Sequence, residues 1–431
     1  MLMNYWCPGC GNSMEFSPAD QKMYCICCGS SYTVEEWNAI SGLPAGGETI
    51  NAAPAAEGTD PDVQENMRQE NGPEEDVSRK MLSRRRATIP MQILHCNGCG
   101  AELAVNGVES SSFCVYCGQA TVVTDRVEDY LQPDHIIPFR VTKEQAESII
   151  RNKVRQGRYI PDEVKHFRIE TLRGIYIPFW LYDIYFGADQ FWQYAIKKGK
   201  NTEYRFEHRT GDCVFKKMTL DASKSLLDES SQRLEPYDLD DLQPFDPAYL
   251  SGFYSDRFDM GTDDLDGLAC RRAEELFNTE MKANLQHKAA RLESSVTVKH
   301  IMKREYALLP VWFLTFRYEN RPYTILLNGQ TGKMVGALPV VKKKVYWEFA
   351  VMAVIFCAVL ATLGVWLTPL FMGRMYTRDD GGLISMFLTV VGTSIYWPWY
   401  VAVKKYKEMK ISLGLTRSGS NTRLARERAG K

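Results

Sequence analysis

Eight of the twelve cysteines in this 431-residue chain occur in four Cys-x-x-Cys pairs, which form two units of identical spacing, C-x2-C-x14-C-x2-C. A shift of 89 residues superimposes the cysteines of the first unit on those of the second, and glycine follows each pair. The eight positions are Cys7, Cys10, Cys25, Cys28, Cys96, Cys99, Cys114 and Cys117. Two thiolates separated by two residues can bind a metal ion from one tight turn, and two such turns complete a tetrahedral site. The spacing therefore predicts two zinc ribbons, each with one Zn2+ ion.

The predicted metal sites are structural rather than catalytic. Four thiolates close the coordination shell and leave no position for a water molecule. A unit of about 35 residues cannot bury enough apolar surface to fold alone, so the bound metal has to supply the stability. Iron in a rubredoxin-like site could use the same ligands and stays open as the alternative metal. Redox dithiols are disfavoured because the pairs recur in fours, and Cys27 is interpreted as a free thiol.

The charge around the cysteines favours a protein partner over a nucleic acid. The whole chain has a formal net charge of −1. Residues 1–40 carry one lysine against four carboxylates, and residues 91–126 carry one arginine against three. Both segments would repel phosphate groups, which leaves only the basic cluster Arg84-Arg85-Arg86 for contact with a duplex. We therefore expect the ribbons to bind a protein, and nucleic-acid binding is the disfavoured alternative.

Changes in composition divide the chain into folded and connecting segments. Residues 41–90 are rich in Gly, Pro, Ala, Asn and acidic residues, which is typical of a disordered linker. The predicted fold class is multidomain, with two small β zinc ribbons, a central α+β region with an antiparallel sheet, and a C-terminal hairpin of two transmembrane helices. The boundaries are 1–40 for ribbon 1, 91–126 for ribbon 2, 127–341 for the α+β domain, 345–403 for the helical hairpin and 404–431 for a basic tail.

Several local patterns predict elements of the α+β domain. A strand is expected at His135–Phe139, and Thr142 with Gln145 three residues later is a capping box that opens a helix. A second helix is expected between about 262 and 292. Asn328-Gly329 predicts a hairpin turn.

Two apolar segments of this domain resemble each other. Ile177-Pro178-Phe179-Trp180 and Leu309-Pro310-Val311-Trp312 each place proline two residues before tryptophan. The similarity indicates either two related sheet units or a chance likeness between two aromatic strands.

Two long uncharged runs near the C-terminus predict membrane spans. They cover 349–372 and 381–403, and each exceeds the length that a helix needs to cross a hydrocarbon core of about 30 Å. Lysines flank the outer ends of both runs, and tyrosines and tryptophans lie beside them. These features predict a cell-membrane protein with two spans, in contact with the lipid bilayer, and with both termini in the cytoplasm. The basic tail is expected to lie on anionic lipid.

No residue set in the sequence predicts catalysis. Gly329-Gln330-Thr331-Gly332-Lys333 does not match the spacing of a phosphate-binding loop. Four aspartates miss the EF-hand pattern and are interpreted as a solvated acidic loop. They are Asp238, Asp240, Asp241 and Asp246. The six histidines form no ligand pair at helical spacing. An enzyme with an unrecognised site in 127–341 stays as a further alternative.

Five short motifs within residues 91–341 can be compared together with those of a known protein family. They are the ribbon 96–117, Ile137-Pro138-Phe139, Tyr176–Trp180, Glu235-Pro236-Tyr237 and Asn328–Lys333. Together they resemble bacterial membrane proteins described as TFIIB-type zinc-ribbon-containing. The resemblance implies a bacterial origin and supplies no catalytic residue, and the additional N-terminal ribbon departs from that pattern. The function expected from these observations is a membrane-anchored scaffold or adaptor that binds a protein partner through its zinc ribbons.

Overall fold

The computed structural model describes residues 5–41, 88–97, 100–105, 114–116, 122–166, 172–198, 201–223, 226, 228–256, 262–287, 289–319, 321–336, 338–372, 400–401 and 403–408. The predicted linker 41–90 and the basic tail 404–431 lie mostly outside these residues. The expected disorder of the linker and the lipid contact of the tail therefore stay predictions.

The N-terminal unit is a three-stranded antiparallel sheet followed by a short helix. Its strands are β1 (Met14–Ser17), β2 (Lys22–Cys25) and β3 (Ser31–Tyr32), and its helix is α1 (Val34–Ser41). The Thr33 hydroxyl accepts a hydrogen bond from the Glu36 amide, and the Glu36 carboxylate accepts one from the Thr33 amide. This reciprocal cap fixes where α1 begins.

All other strands belong to one sheet of eleven strands. In chain order they are β4 (Thr88–Cys96), β5 (Glu102–Val105), β6 (Val122–Leu131), β7 (His135–Ile136), β8 (Leu172–Lys198), β9 (Asn201–Asp221), β10 (Gln243–Pro244), β11 (Tyr254–Asp256), β12 (Arg291–Tyr318), β13 (Arg321–Asn328) and β14 (Met334–Gly336). The order across the sheet is β10-β7-β12-β8-β11-β5-β4-β6, with β13 beside β12, β14 beside β13, and β9 beside β8. The sheet is mixed, because β11 runs parallel to β8 and β7 runs parallel to β12.

Further helices accompany the sheet in the described part of the chain. They include α2 (Lys143–Gln156), α3 (Asp162–Lys165), α4 (Asp228–Leu234), α5 (Thr262–Ala283) and α6 (Lys342–Met372). The capping box of Thr142 and Gln145 is present at the start of α2, as the sequence predicts. The second predicted helix corresponds to α5, and the turn after Asn328 joins β13 to β14.

The two longest strands, β8 and β12, form the centre of the fold. They pair antiparallel from Leu172 opposite Leu314 to Gln193 opposite Arg291. The two similar segments lie side by side within this pair, with Ile177 opposite Leu309. Nearly all residues of Leu172–Tyr182 are buried, so this part of β8 is covered on both faces, as in a central strand.

The two faces of the sheet bury separate apolar clusters. One contains Tyr176, Trp180 and Trp312 together with α2 and the N-terminal ribbon. The other contains Ile177 and Phe313 together with Cys96, Cys114 and Tyr116 of the second cysteine unit. The two cysteine units therefore pack against opposite faces.

This architecture corrects the predicted fold class of a central α+β region with an antiparallel sheet. Strands of the second cysteine unit join the main sheet, because β4 and β6 pair along their length and β5 pairs with β11. The central sheet is mixed rather than antiparallel. The physical reason is that a small unit gains burial and backbone hydrogen bonds when its strands extend a larger sheet.

The predicted transmembrane hairpin is wrong. Among the described residues, no helix has both the length and the apolar character that a membrane crossing requires. The same finding contradicts the predicted localisation, which was a cell membrane crossed by spans 349–372 and 381–403 with both termini in the cytoplasm. The prediction was based on the two uncharged runs and on the lysines and aromatic residues that flank them, and most of the second run lies outside the described residues.

Charged contacts hold the start of helix α6 against the folded domain. Lys344 Nζ lies 3.2 Å from Asp162, and Glu348 accepts from Arg158 at 2.6 Å and from the Tyr159 hydroxyl at 2.8 Å. The first turns of this helix are therefore part of the domain surface.

Candidate metal centre

Four cysteine sulfurs of the N-terminal unit come together in one cluster. The Sγ atoms of Cys7, Cys10, Cys25 and Cys28 all lie within 4.8 Å of one another. The sulfurs of Cys7 and Cys28 are 3.5 Å apart, as are those of Cys10 and Cys25. A tetrahedral zinc site with Zn–S bonds of about 2.3 Å needs sulfurs roughly 3.8 Å apart. The four thiols can therefore hold one metal ion without a change of fold.

Two tight turns position these four sulfurs. The Gly11 amide donates to the Cys7 carbonyl at 2.8 Å, and the Gly29 amide donates to the Cys25 carbonyl at 2.9 Å. Both glycines have a φ of 74°. A residue with a Cβ adopts this left-handed backbone at a cost, which explains why glycine follows each cysteine pair.

The environment of Cys28 favours the metal-binding form of its thiol. Its sulfur lies 3.2 Å from the Ser30 hydroxyl oxygen. Hydrogen bonds from the Ser30 side chain and backbone lower the pKa of the Cys28 thiol to about 6. Because metal ions bind thiolates, Cys28 is available as a ligand at neutral pH.

The second cysteine unit repeats the turn of the first. The Gly100 amide donates to the Cys96 carbonyl at 2.7 Å, and Gly100 has a φ of 76°. Cys96 and Cys114 are both buried in the apolar cluster on that face of the sheet. Cys99 and Cys117 lie outside the described residues. The structure thus brings four of the eight predicted ligands together.

The N-terminal ribbon is docked on the central domain through its edge strand and its helix. The Phe16 amide donates to the Ser251 carbonyl at 3.1 Å, and the Ser251 hydroxyl donates to the Met14 carbonyl at 2.5 Å. Phe16 packs edge-on against Tyr249 with ring centroids 5.1 Å apart. These contacts fix the orientation of the metal centre on the sheet.

A buried polar pair completes this interface. The Asn38 side-chain amide donates to Asp246 at 2.6 Å, and both side chains are buried. Burial raises the pKa of the Asp246 carboxyl. The interpretation of Asp246 as part of a solvated loop is therefore wrong. Sequence reasoning missed the pair because its members are 208 positions apart.

The free side of the ribbon carries exposed apolar residues next to the ligands. Trp6 precedes Cys7 and is 51% exposed, and Ile26 follows Cys25 and is 68% exposed. Cys27 beside Ile26 is also exposed. Large apolar side chains in water next to a rigid metal site are typical of a protein-contact surface.

The turn after Asn328 and the Glu235-Pro236-Tyr237 segment bind each other. The Asn328 side-chain amide donates to the Leu234 carbonyl at 3.0 Å, and Gln330 exchanges hydrogen bonds with the backbone of Asp238 at 2.8 and 3.0 Å. Lys333 donates to the Glu235 carbonyl. These polar residues are used to hold the turn against the chain, which explains the motif without a phosphate ligand.

Comparison with known proteins places this chain beside a bacterial relative. No protein-family model matches the chain, and no solved structure matches it. Over 241 residues the chain is 31% identical to "Uncharacterized protein YdjG" from Bacillus subtilis (strain 168). The alignment covers 52% of this chain and 69% of the relative. At this identity and coverage, the chain belongs to the family of the Bacillus subtilis protein YdjG.

Proposed function

We propose that this protein is a scaffold or adaptor whose N-terminal zinc ribbon recruits a protein partner. The observation that carries the proposal is the placement of exposed Trp6 and Ile26 directly beside the ligands Cys7 and Cys25. The ribbon is docked on the domain by its other side, through Phe16 and Asn38. The exposed side is therefore presented to a partner in a fixed orientation.

Zinc is the metal that we propose for both cysteine units. Zinc prefers tetrahedral thiolate sites, and a closed set of four thiolates serves structure rather than hydrolysis. The shared turn at Cys7 and Cys96 supports a second site built from Cys96, Cys99, Cys114 and Cys117. In this proposal the second ion fixes the end of β4 within the apolar cluster that contains Tyr116.

The partner that we propose is a protein. The N-terminal ribbon has one lysine, Lys22, against four carboxylates, and its exposed centre is apolar. Apolar side chains next to a rigid site supply the buried anchors of protein interfaces, whereas phosphate groups require a basic surface. The resemblance to TFIIB-type zinc-ribbon proteins is consistent with this proposal and adds no activity to it.

Proximity labelling in cells from a tag at the N-terminus tests the proposal. We expect it to recover a discrete protein that is lost when Trp6→Ala and Ile26→Ser are combined. Ile40→Ser is the matched control, because Ile40 is 55% exposed on α1 of the same ribbon and is not next to a cysteine in the sequence. Cys7→Ser should abolish labelling together with the metal. Recovery of the same protein from the Trp6 and Ile26 variant would contradict the proposal.

A further inference from the structure

The outer halves of three strands pair only with one another, and they are here called the β-arm. It comprises residues 184–198 of β8, 201–215 of β9 and 291–301 of β12, with β8 in the middle. Helix α5 covers its inner face, where Phe186 packs against Phe277 with ring centroids 4.9 Å apart. The outer face is open and carries the even-numbered residues of β9.

Among the described residues, neither edge of the β-arm has a neighbouring strand, since β12 pairs with β7 and β13 only from Ala307 onward, and the β9 edge is the longer of the two. Strand β9 pairs with β8 along Asn201–Asp221, and no other described strand pairs with it. The strand contains no proline, which would block further pairing. A long edge strand of this kind presents a row of backbone donors and acceptors that another strand can bind.

The sequence of this edge is complementary to itself in the antiparallel direction. It reads Thr202-Glu203-Tyr204-Arg205-Phe206-Glu207-His208-Arg209-Thr210. If two copies pair about a two-fold axis at Phe206, then Arg205 lies opposite Glu207, and Glu203 lies opposite Arg209. On the other face Tyr204 lies opposite His208, and Thr202 opposite Thr210. Opposite charges, aromatic pairs and threonine pairs are the cross-strand combinations that stabilise antiparallel sheets.

We propose that a second copy of this chain binds the β9 edge in this register and forms a symmetric dimer. The arms of the two copies then join into one continuous sheet, and the contact is isologous, as in most soluble dimers. Edge strands that avoid pairing carry charges that repel a neighbour. Here the charges alternate in sign, so that each copy attracts the other.

The exposed side chains of β9 also support binding of a second copy of this chain at this edge. Tyr204 is 62% exposed and Phe206 is 56% exposed, although both belong to a regular strand. Phe191 of β8 stacks on His208 with ring centroids 4.5 Å apart, which extends the aromatic surface. In the dimer, Phe206 meets its own copy on the axis and Tyr204 covers His208 of the second copy.

Charge-reversal variants of the full-length protein, examined by analytical ultracentrifugation, test the proposed dimer. We expect the wild type to sediment at twice the 49.2 kDa mass of one chain. Arg205→Glu and Glu207→Arg, tested separately, should each raise the dissociation constant at least about tenfold, because like charges then face each other across the axis. An equal mixture of the two variants should recover a heterodimer, since every facing pair is again of opposite sign.

Val296→Asp is the matched control. Val296 is 73% exposed on the outer face of the β-arm but lies on β12, away from the proposed edge, so this variant should dimerise like the wild type. A monomeric wild type, single variants that stay dimeric, or a mixture that fails to associate would each overturn the proposal.

Hydrogen exchange of the wild-type chain gives a measurement that needs no variant. Backbone amides within residues 202–210 that point away from β8 should become protected as protein concentration rises. Protection that does not change with concentration would also overturn the proposal.

Discussion

The glycines that close the cysteine turns are the residues on which the metal centre depends most directly after its ligands. Gly11 and Gly29 share a φ of 74°, and Gly100 has nearly the same value in the second unit. This property can be predicted from sequence, because a Cys-x-x-Cys-Gly turn needs a left-handed residue at its end. The identity of the four sulfurs that converge is equally predictable from their spacing.

Gly11→Ala should weaken the first metal site. The alanine Cβ would meet no atom within 4 Å, so the effect comes from backbone conformation alone. We expect a loss of about 1 kcal/mol in metal binding, measured by competition with a chromogenic chelator. Gly9→Ala is the control, because a Cβ there has ordinary contacts of 3.7 and 3.8 Å and Gly9 has no positive φ. Equal losses in the two variants would contradict this explanation.

The buried Asp246 predicts a pH dependence at the docking interface. Burial raises its pKa, so the stability that the protonated form contributes is present at acidic pH and is lost as pH rises through that pKa. Asp246→Asn cannot ionise. We therefore expect the free energy of unfolding of this variant, relative to the wild type at the same pH, to increase as pH rises above the ordinary pKa of an aspartate, about 4. Urea denaturation measures it, and a difference that falls over this range would contradict the assignment.

At the scale of elements, local signals predict single elements and long-range pairing decides the fold. The capping box at Thr142 predicts the start of α2 because all its contacts lie within one turn. The pairing of β5 with β11 joins residues about 150 positions apart, and no local pattern specifies it. For the same reason the sequence predicts the cysteine turns of the second unit and misses its incorporation into the main sheet.

Docking of the N-terminal ribbon should depend on Phe16. This side chain is buried and packs on Tyr249, so Phe16→Ala should reduce the free energy of unfolding by about 3 kcal/mol. Hydrogen exchange should also accelerate at the residue-16 amide, which donates to Ser251. Tyr24→Ala is the control, because Tyr24 belongs to the same ribbon and is exposed. Unchanged exchange at residue 16 would show that the ribbon does not dock through this residue.

At the scale of the whole molecule, the structure joins two cysteine units and a large mixed sheet into one body. The two units lie on opposite faces of the sheet. The spacing of the cysteines does not predict this arrangement. The predicted membrane hairpin illustrates the converse error. Uncharged runs flanked by lysines and aromatic residues predicted the spans, whereas no described helix has the length and apolar character of a span.

Metal content tests the central claim, that paired cysteines of this chain bind structural zinc. Elemental analysis of the native full-length protein should give two zinc ions per chain, and Cys7→Ser and Cys96→Ser should each leave one. In the folded wild type the eight paired thiols should resist alkylation until a chelator is added. A folded, metal-free protein in which these thiols react at once would contradict the account.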